Sequence, residues 1–359
     1  MNKTYQLFLL LLGVLLSAGC LSGCIKDNLS DCPVPVEPKP EPTTGIFRLA
    51  LTYTMHNMLE NGTYADLFSQ QVHKIDVFVF NDKGQFVKQI TEEAAPKFAD
   101  NYIKEIELPG GNYQFVVWGN HYEDETVHNC NNETSLLQEG RMTLVQTLNQ
   151  NMEIGMLTDS LFHGYTPQAV SVENGKSQEV SINLMKNRND VRVIVRWHEK
   201  GTIGYCTRPE HAHSIKATLV DNNTTYDFFN NIVDKQEVIY QPGHFPYWYD
   251  PLFNEKMQSD YSEPEYAYVA DFSELRLMKD NSDSRLVIQD NEGKIVYEHA
   301  LSGPDGLITQ LEQYQTQEAL DREDRYLIEL LFECESHAPW SAITIMINGW
   351  TLVDKDIEL

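Results

Sequence analysis

Cys24 sits in a setting that names a reaction for its side chain. Leu21-Ser22-Gly23-Cys24 places a branched apolar residue and two small residues before a thiol. This is the pattern of a bacterial lipobox: the small residues enter the narrow pocket of a signal peptidase, and the thiol accepts a diacylglycerol. A competing site four residues upstream, Ser17-Ala18-Gly19-Cys20, fits less well because its first position is polar. The other cysteines, Cys32, Cys130, Cys206 and Cys334, contain no C-x-x-C pair, so zinc or thioredoxin-like chemistry has no support. In an exported chain they suggest disulfides instead. Three pairings are open, and the two cysteines on each side of residue 187 favour Cys32–Cys130 with Cys206–Cys334.

The search for catalysis ends there. The sequence has no G-x-S-x-G, no H-E-x-x-H and no G-x-x-x-x-G-K-[ST]. Its 11 histidines are scattered. His211-Ala212-His213 follows Pro209 and reads as a solvated loop pair rather than a metal site. Asp280-Asn281-Ser282-Asp283 offers oxygens that suit calcium but lacks the rest of a binding loop, so it reads as a polar turn. Asp321-Arg322-Glu323-Asp324-Arg325 reads as a solvated lead into a strand at Tyr326. The aromatic run Phe245-Pro246-Tyr247-Trp248-Tyr249 could stack on sugar rings, although packing between loops is the simpler reading. No enzyme activity, cofactor or metal is expected.

The elements that position Cys24 are legible. An apolar run at residues 7–16 follows Lys3. It falls short of the ~20 residues a spanning helix needs and has the size of a signal-peptide core. Residues 1–23 are therefore expected to be removed. Acyl chains add about 0.8 kcal/mol per buried CH₂, so two or three of them on Cys24 make a permanent tether. Residues 33–42 alternate proline with other residues. This favours an extended polyproline spacer of ~3.1 Å per residue, holding a folded part off the membrane within a tether of 24–44.

The mature chain keeps 336 of 359 residues once 1–23 are removed, and 42% of the whole sequence is hydrophobic. Two domains of ~100–200 residues are expected. A net charge of -26 repels phosphate backbones and anionic lipid. Nucleic acid is excluded as a partner, and the lipid must do the anchoring.

Strand signals begin at Gly45. Residues 46–53 form a candidate first strand, and 74–80 and 85–90 flank the turn Asn81-Asp82-Lys83-Gly84 as a hairpin. Residues 103–108 alternate apolar and charged, Pro109-Gly110-Gly111-Asn112 turns, and 113–119 return. Residues 178–184 close a first domain at 45–187, Lys186-Asn187-Arg188-Asn189 makes a polar break, and 191–197 open a second at 188–359. That domain continues through 214–220, 266–272, 284–288, a hairpin about Asp290-Asn291-Glu292-Gly293, 325–332 and 342–348. Residues 307–314 are the best helix candidate. Many short strands with turn signals indicate an all-β chain of sandwiches or barrels.

Several segments together resemble the fimbrillin-associated anchor lipoproteins of type V fimbriae. They are Cys24 with Leu29-Ser30-Asp31-Cys32-Pro33, Val77-Phe78-Val79-Phe80-Asn81-Asp82-Lys83-Gly84, and Leu108-Pro109-Gly110-Gly111-Asn112-Tyr113 with Val117-Trp118-Gly119-Asn120. Leu320-Asp321-Arg322-Glu323-Asp324 and Ile345-Met346-Ile347-Asn348-Gly349-Trp350 complete the match over the mature chain. The resemblance implies two tandem transthyretin-like β-sandwich (Greek-key) domains and a non-catalytic anchor. It also implies fimbrial shaft subunits as partners and a lipid-anchored place on the outer membrane, at the fimbrium base. Ile25-Lys26-Asp27-Asn28 is similar to the Lys-acidic signal for surface exposure, with Asn28 in place of the second acid.

The resemblance further implies shaft subunits that polymerise by strand exchange after a proteolytic cut, often Arg-directed. The first arginine after Cys24 is Arg48, inside the candidate first strand, so an anchor must keep that strand uncut. The alternatives are a tip subunit or adhesin of the same system, or a surface glycan-binding lipoprotein. Residues 343–347 are expected to complete the second sandwich. The tail Trp350-Thr351-Leu352-Val353 is the candidate shaft-docking element, because a terminus can leave its sheet without opening a core. If Cys24 is the acylated residue, cells fed a palmitate analogue label the protein in a Cys20→Ala background and lose the label in Cys24→Ala. Retained label in Cys24→Ala excludes it.

Overall fold

Phe47, Leu49, Leu51 and Tyr53 are buried while the residues between them are not, the alternation of a half-buried strand. The computed structural model describes residues 43–58, 63–148, 152–198, 214–244, 267–334 and 342–352. In it this segment is β1 (Gly45–Met58). Then come β2 (Tyr64–Asp66), β3 (Lys74–Asn81), β4 (Phe86–Glu93), β5 (Ile103–Leu108) and β6 (Gly111–Gly119). Next are β7 (Thr126–His128), β8 (Arg141–Leu144), β9 (Glu153–Ile154), β10 (Phe162–Tyr165), β11 (Val170–Val172) and β12 (Ser177–Lys186). Beyond Asn187 lie β13 (Arg188–His198), β14 (Ile215–Asp221), β15 (Thr225–Asp227), β16 (Val238–Tyr240) and β17 (Tyr268–Leu275). The last are β18 (Arg285–Asp290), β19 (Ile295–Ala300), β20 (Arg325–Glu333), β21 (Ala342–Ile347) and β22 (Trp350–Leu352). The all-β expectation is met, with each expected strand in place.

Local chemistry explains the hairpins. Asn81 Oδ1 accepts from the backbone N–H of Lys83 and of Gln85, both at 3.0 Å, and Gly84 takes φ 71°. Asn and Gly close the β3–β4 turn because one satisfies the backbone and the other tolerates positive φ. The helix expected at 307–314 does not form. There the N–H of Leu307 and of Ile308 bond back to Ala300 and Leu301, beside the end of β19, and only the 3₁₀ turn Glu312–Tyr314 follows. A short α-helix lies later, at Gln317–Arg322, where Thr316 caps the N–H of Ala319.

The first sheet path runs β2-β1-β12-β10-β6-β3-β4, with β5 on β1 and β11 on β6. β12 links its two layers, pairing with β1 through residues 177–184 and with β10 at Met185 and Lys186. Between them lies an apolar core that includes Phe47, Val77, Phe115 and Ile182. A larger core lies between β17-β13-β20-β21-β22 and β19-β18-β14-β16-β9. β3 and β6 are buried on both faces. Val77 and Val79 enter the first core, while Phe78, Phe80 and Trp118 join the second, where Phe78 meets Phe228 with ring centroids 5.1 Å apart. Strands from either side of Asn187 also share sheets: β8 pairs with β15, and β9 with β16.

In the polar run at 186–189, read as a break, Lys186, Asn187 and Asn189 are buried. Lys186 Nζ donates to Asp324 Oδ2 at 2.7 Å, with both side chains 6% exposed. Asn187 and Asn230 exchange side-chain amide bonds of 2.6 and 3.0 Å. Asn189 donates to the Glu323 carbonyl and accepts from the Leu277 N–H. Arg276 forks onto Asp321 with two bonds of 2.6 Å and reaches the Asn230 carbonyl at 2.9 Å. The run at 321–325 is therefore no solvated lead into β20: Asp321 and Asp324 are buried anchors. Their charge is tolerated because each finds a cation of matching geometry.

Buried histidines tie the same region. His163 is fully buried against Trp118, at 4.5 Å between ring centroids, and its Nε2 bonds the Phe228 carbonyl at 3.1 Å. Burial pushes its pKa down to about 3, and that of His121 down to about 4.

Two outcomes follow. Asp324→Ala strands a buried ammonium and is expected to cost about 3–5 kcal/mol, read as a lowered urea midpoint, whereas K186M/D324L recovers most of the loss. Equal loss in both variants would show that the pair is not the cause. The histidines are neutral in the fold and protonate in the unfolded chain below pH ~6.5, so their stability is intact above that pH and lost as pH falls toward the folded values. By pH 4 the loss is on the order of 3 kcal/mol per histidine. Urea titrations across this range test it, and His121→Phe should flatten the slope. An unchanged slope refutes the assignment to His121.

Candidate docking edge

The C-terminal hairpin turns at Asn348-Gly349, with φ of 49° and 80°. Two consecutive positive φ values are what a two-residue primed turn needs, and Asn-Gly meets them at low cost. Asn348 also rivets the turn to the body. Its Oδ1 accepts from the Leu327 N–H at 2.7 Å, and its Nδ2 donates to Tyr314 Oη at 3.0 Å and to the Arg325 carbonyl at 3.1 Å. Tyr314 is buried, which raises its pKa and keeps the hydroxyl protonated.

The two strands of the hairpin have different fates. In β21, Ala342, Ile345 and Ile347 are buried, and the strand pairs with β20 from Ile328↔Ile347 to Phe332↔Ala342. Residues 343–347 thus lie in an interior strand of that sheet, between β20 and β22. β22 pairs only with β21, in the register Ile345↔Leu352, Met346↔Thr351, Ile347↔Trp350. Trp350 is 61% exposed, Thr351 is exposed, and Leu352 packs half-buried against the core. Among the described residues the outer side of β22 carries no further strand. Among the described residues the edge thus ends its sheet beside an exposed indole, and its three residues carry no formal charge. A depression of about 40 Å³ one strand inward is lined by Arg196, Glu329, Leu331, Thr344 and Met346. Arg196 and Glu329 meet there at 2.9 Å.

Two edges of the first sheet, β4 and β5, are guarded. Lys88 Nζ on β4 donates to the Glu107 carbonyl on β5 at 3.1 Å, and Lys104 on β5 pairs with Glu92 on β4. Charged side chains laid across two neighbouring edges block the approach of another strand. In chemical terms, β22 is open to strand addition and the β4/β5 side is latched.

Other expected site residues are scattered. Cys130 is a buried free thiol with its pKa raised to about 11 by burial, so the expected Cys32–Cys130 bridge is not made here. Apolar packing beside β7 and β8 holds it within the larger core. Cys334 is disulfide-bonded. Cys24, Cys32, Cys206, Val353, His211, His213, the 33–42 spacer and the aromatic run at 245–249 lie outside the described residues. In the polar turn at 280–283, Asn281 Nδ2 donates to Asp221 at 2.7 Å, and Asp283 accepts from Asn222 at 2.8 Å. Among the described residues no group of three or more His, Cys, Asp or Glu is arranged to hold a metal ion. Arg48 lies in β1 between Glu105 of β5 and Glu179 of β12, and pairs with Glu105 at 3.3 Å. Sequence reasoning missed Asn348, Lys186 and Arg276. Only the Asn-Gly pair carried a local signal.

Comparison with known proteins gives these features a context. The family described as fimbrillin-A associated anchor proteins Mfa1 and Mfa2 matches residues 29–356. The major fimbrium anchoring subunit FimB of Porphyromonas gingivalis is 26% identical over 194 residues, 52% of this chain and 55% of FimB. The chain thus spans about half the length of that relative. The structure of the fimbrial anchor protein Mfa2 from the same organism matches with a TM-score of 0.63 and 16% identity, covering 86% of this chain and 98% of Mfa2. A Bacteroides thetaiotaomicron protein provisionally described as polysaccharide-binding matches at 0.68 and 22% identity, covering 87% of this chain and 98% of its own. At these identities the two structures speak for the fold, and the family rests on the match along 29–356: the chain belongs to the fimbrillin-A associated anchor proteins.

Proposed function

We propose that the chain is a non-catalytic anchor subunit that holds a fimbrial shaft to the outer membrane through acyl groups on Cys24 and closes the assembly at its base. The observation that carries this reading is the position of β1. Arg48 lies in a strand flanked on both sides, by β5 over Gly45–Ala50 and by β12 over Ile46–Tyr53. A protease needs its substrate extended and free to pair in its cleft, and a strand paired on both edges is extended but not free. Phe47, Leu49 and Leu51 would also have to leave a core. Retention of β1 keeps the fold continuous with its lipid, and it leaves the first sandwich without a groove for a further donor strand.

The shaft is then received at β22, where the edge is open and Trp350 is exposed. Backbone pairing supplies affinity in such strand addition, and side-chain pockets supply selection. We propose Cys206 as the disulfide partner of Cys334. Non-reduced peptide mapping should return that linked pair, and a different partner for Cys334 excludes it.

Deletion of residues 350–359 tests the docking edge. The protein should melt as cooperatively as the full chain, because β22 adds three residue pairs at the rim, while cells expressing it shed their fimbriae. Stable protein with normally attached fimbriae rules the tail out. Immunogold labelling at the far end of the fimbria would replace the anchor reading with a tip role, and selective binding on a glycan array would point to a sugar-binding surface lipoprotein.

A further inference from the structure

Two long strand pairs in this fold share an uncommon direction. β1 runs parallel to β12 over eight residue pairs, from Ile46↔Ser177 to Tyr53↔Leu184. β13 runs parallel to β20 over nine, from Asp190↔Arg325 to His198↔Glu333. Neighbouring pairs such as β3–β4 and β18–β19 are antiparallel. The residues on each side of Asn187 therefore begin with a strand that is paired in parallel with a strand near their end.

Direction decides how such a ladder meets force. Parallel strands have their N-terminal ends together, and their bonds are evenly spaced along the pair. A pull on the N-terminal end of one strand against the C-terminal end of the other acts along the strands and loads every bond together. A pull on two like ends peels the ladder one bond at a time. A load entering at the N-terminus of β1 and leaving through the C-terminus of β12 is of the first kind. β12 passes into β13 through Asn187 alone, so the same load enters β13 at its N-terminal end. It leaves through the C-terminal end of β20 toward β21 and β22, again along the strands. Both leading strands are backed on their other edge, β1 by β5 and β13 by β17. Slippage at the junction is opposed by the buried Lys186–Asp324 pair and by the Asn187–Asn230 amide exchange.

We propose that β1–β12 and β13–β20 are two shear clamps in series, which make the folded part a load-bearing link between a tethered N-terminus and a pull received at its C-terminal sheet. The anchor reading enters only through the direction of the load. The clamps are a property of the folded chain alone.

Single-molecule pulling on the mature chain, with no shaft present, tests this. One chain carries tags at its two ends. A second carries one tag inserted after Asn61, between β1 and β2, and one at the C-terminus, so that β1 and β12 are drawn apart by like ends. A third carries the internal tag within residues 199–213, beyond β13, so that β13 and β20 are drawn apart by like ends. Urea midpoints of all three chains are measured first; where an insertion shifts the midpoint, the other insertion carries the test. The expected result is a first rupture force severalfold higher for the end-tagged chain than for either control, with a later high-force event in the second chain, whose β13–β20 pair is still loaded along its strands, because forced unfolding follows the barrier along the pulling direction rather than equilibrium stability. Equal forces in all geometries overturn the proposal. Shedding of fimbriae by cells tests the anchor reading separately, so the failure of one is distinct from the failure of the other.

Discussion

Lys186 and Asp324 are 138 residues apart in sequence and 2.7 Å apart in the fold, with both side chains almost wholly removed from water. Unpaired, either charge would cost more to bury than a typical core contact contributes. The pair therefore constrains the architecture: β20 must begin where β12 ends. Asn187, Asn189, Arg276 and Asp321 satisfy one another or nearby backbone around that point, so no member can be placed without the rest. The apolar cores supply the bulk of the stabilisation, and this polar cluster fixes how the two stretches of sheet are joined.

The joining has a second layer. β3 and β6 present Val77, Val79, Phe115 and Val117 to one core and Phe78, Phe80, Val116 and Trp118 to the other, so two central strands serve both. Strands buried on both faces have no solvated side on which to slip, and a one-residue shift would exchange the two sets of side chains. The β8–β15 and β9–β16 pairs add backbone ladders across the same region. Two of the sheet edges, β4 and β5, carry charged side chains laid across one another, and β22 ends its sheet at the C-terminal hairpin. Membership in an anchor family sits naturally on such a frame, with a first strand that is hard to remove and a last strand that is easy to reach.

The sequence by itself determined the alternation that makes the strands and the Asn and Gly residues that turn them. It also determined the thiol context at Cys24 and, through the order of its motifs, the family. These are local properties, set within a few residues by side-chain size, hydrogen-bonding reach and backbone freedom. Tertiary structure alone decided that β1 and β12, and β13 and β20, run in parallel, because strand partners are chosen by contacts more than 100 residues apart. It also decided that Asp321, Asp324 and Lys186 are buried rather than solvated, that 307–314 bonds to the end of β19 and closes only short turns instead of a helix, and that Cys130 keeps a free thiol. A charged residue reads as surface until its counter-charge is known, and the counter-charge is a fact of three-dimensional neighbours, which no local window of the chain contains.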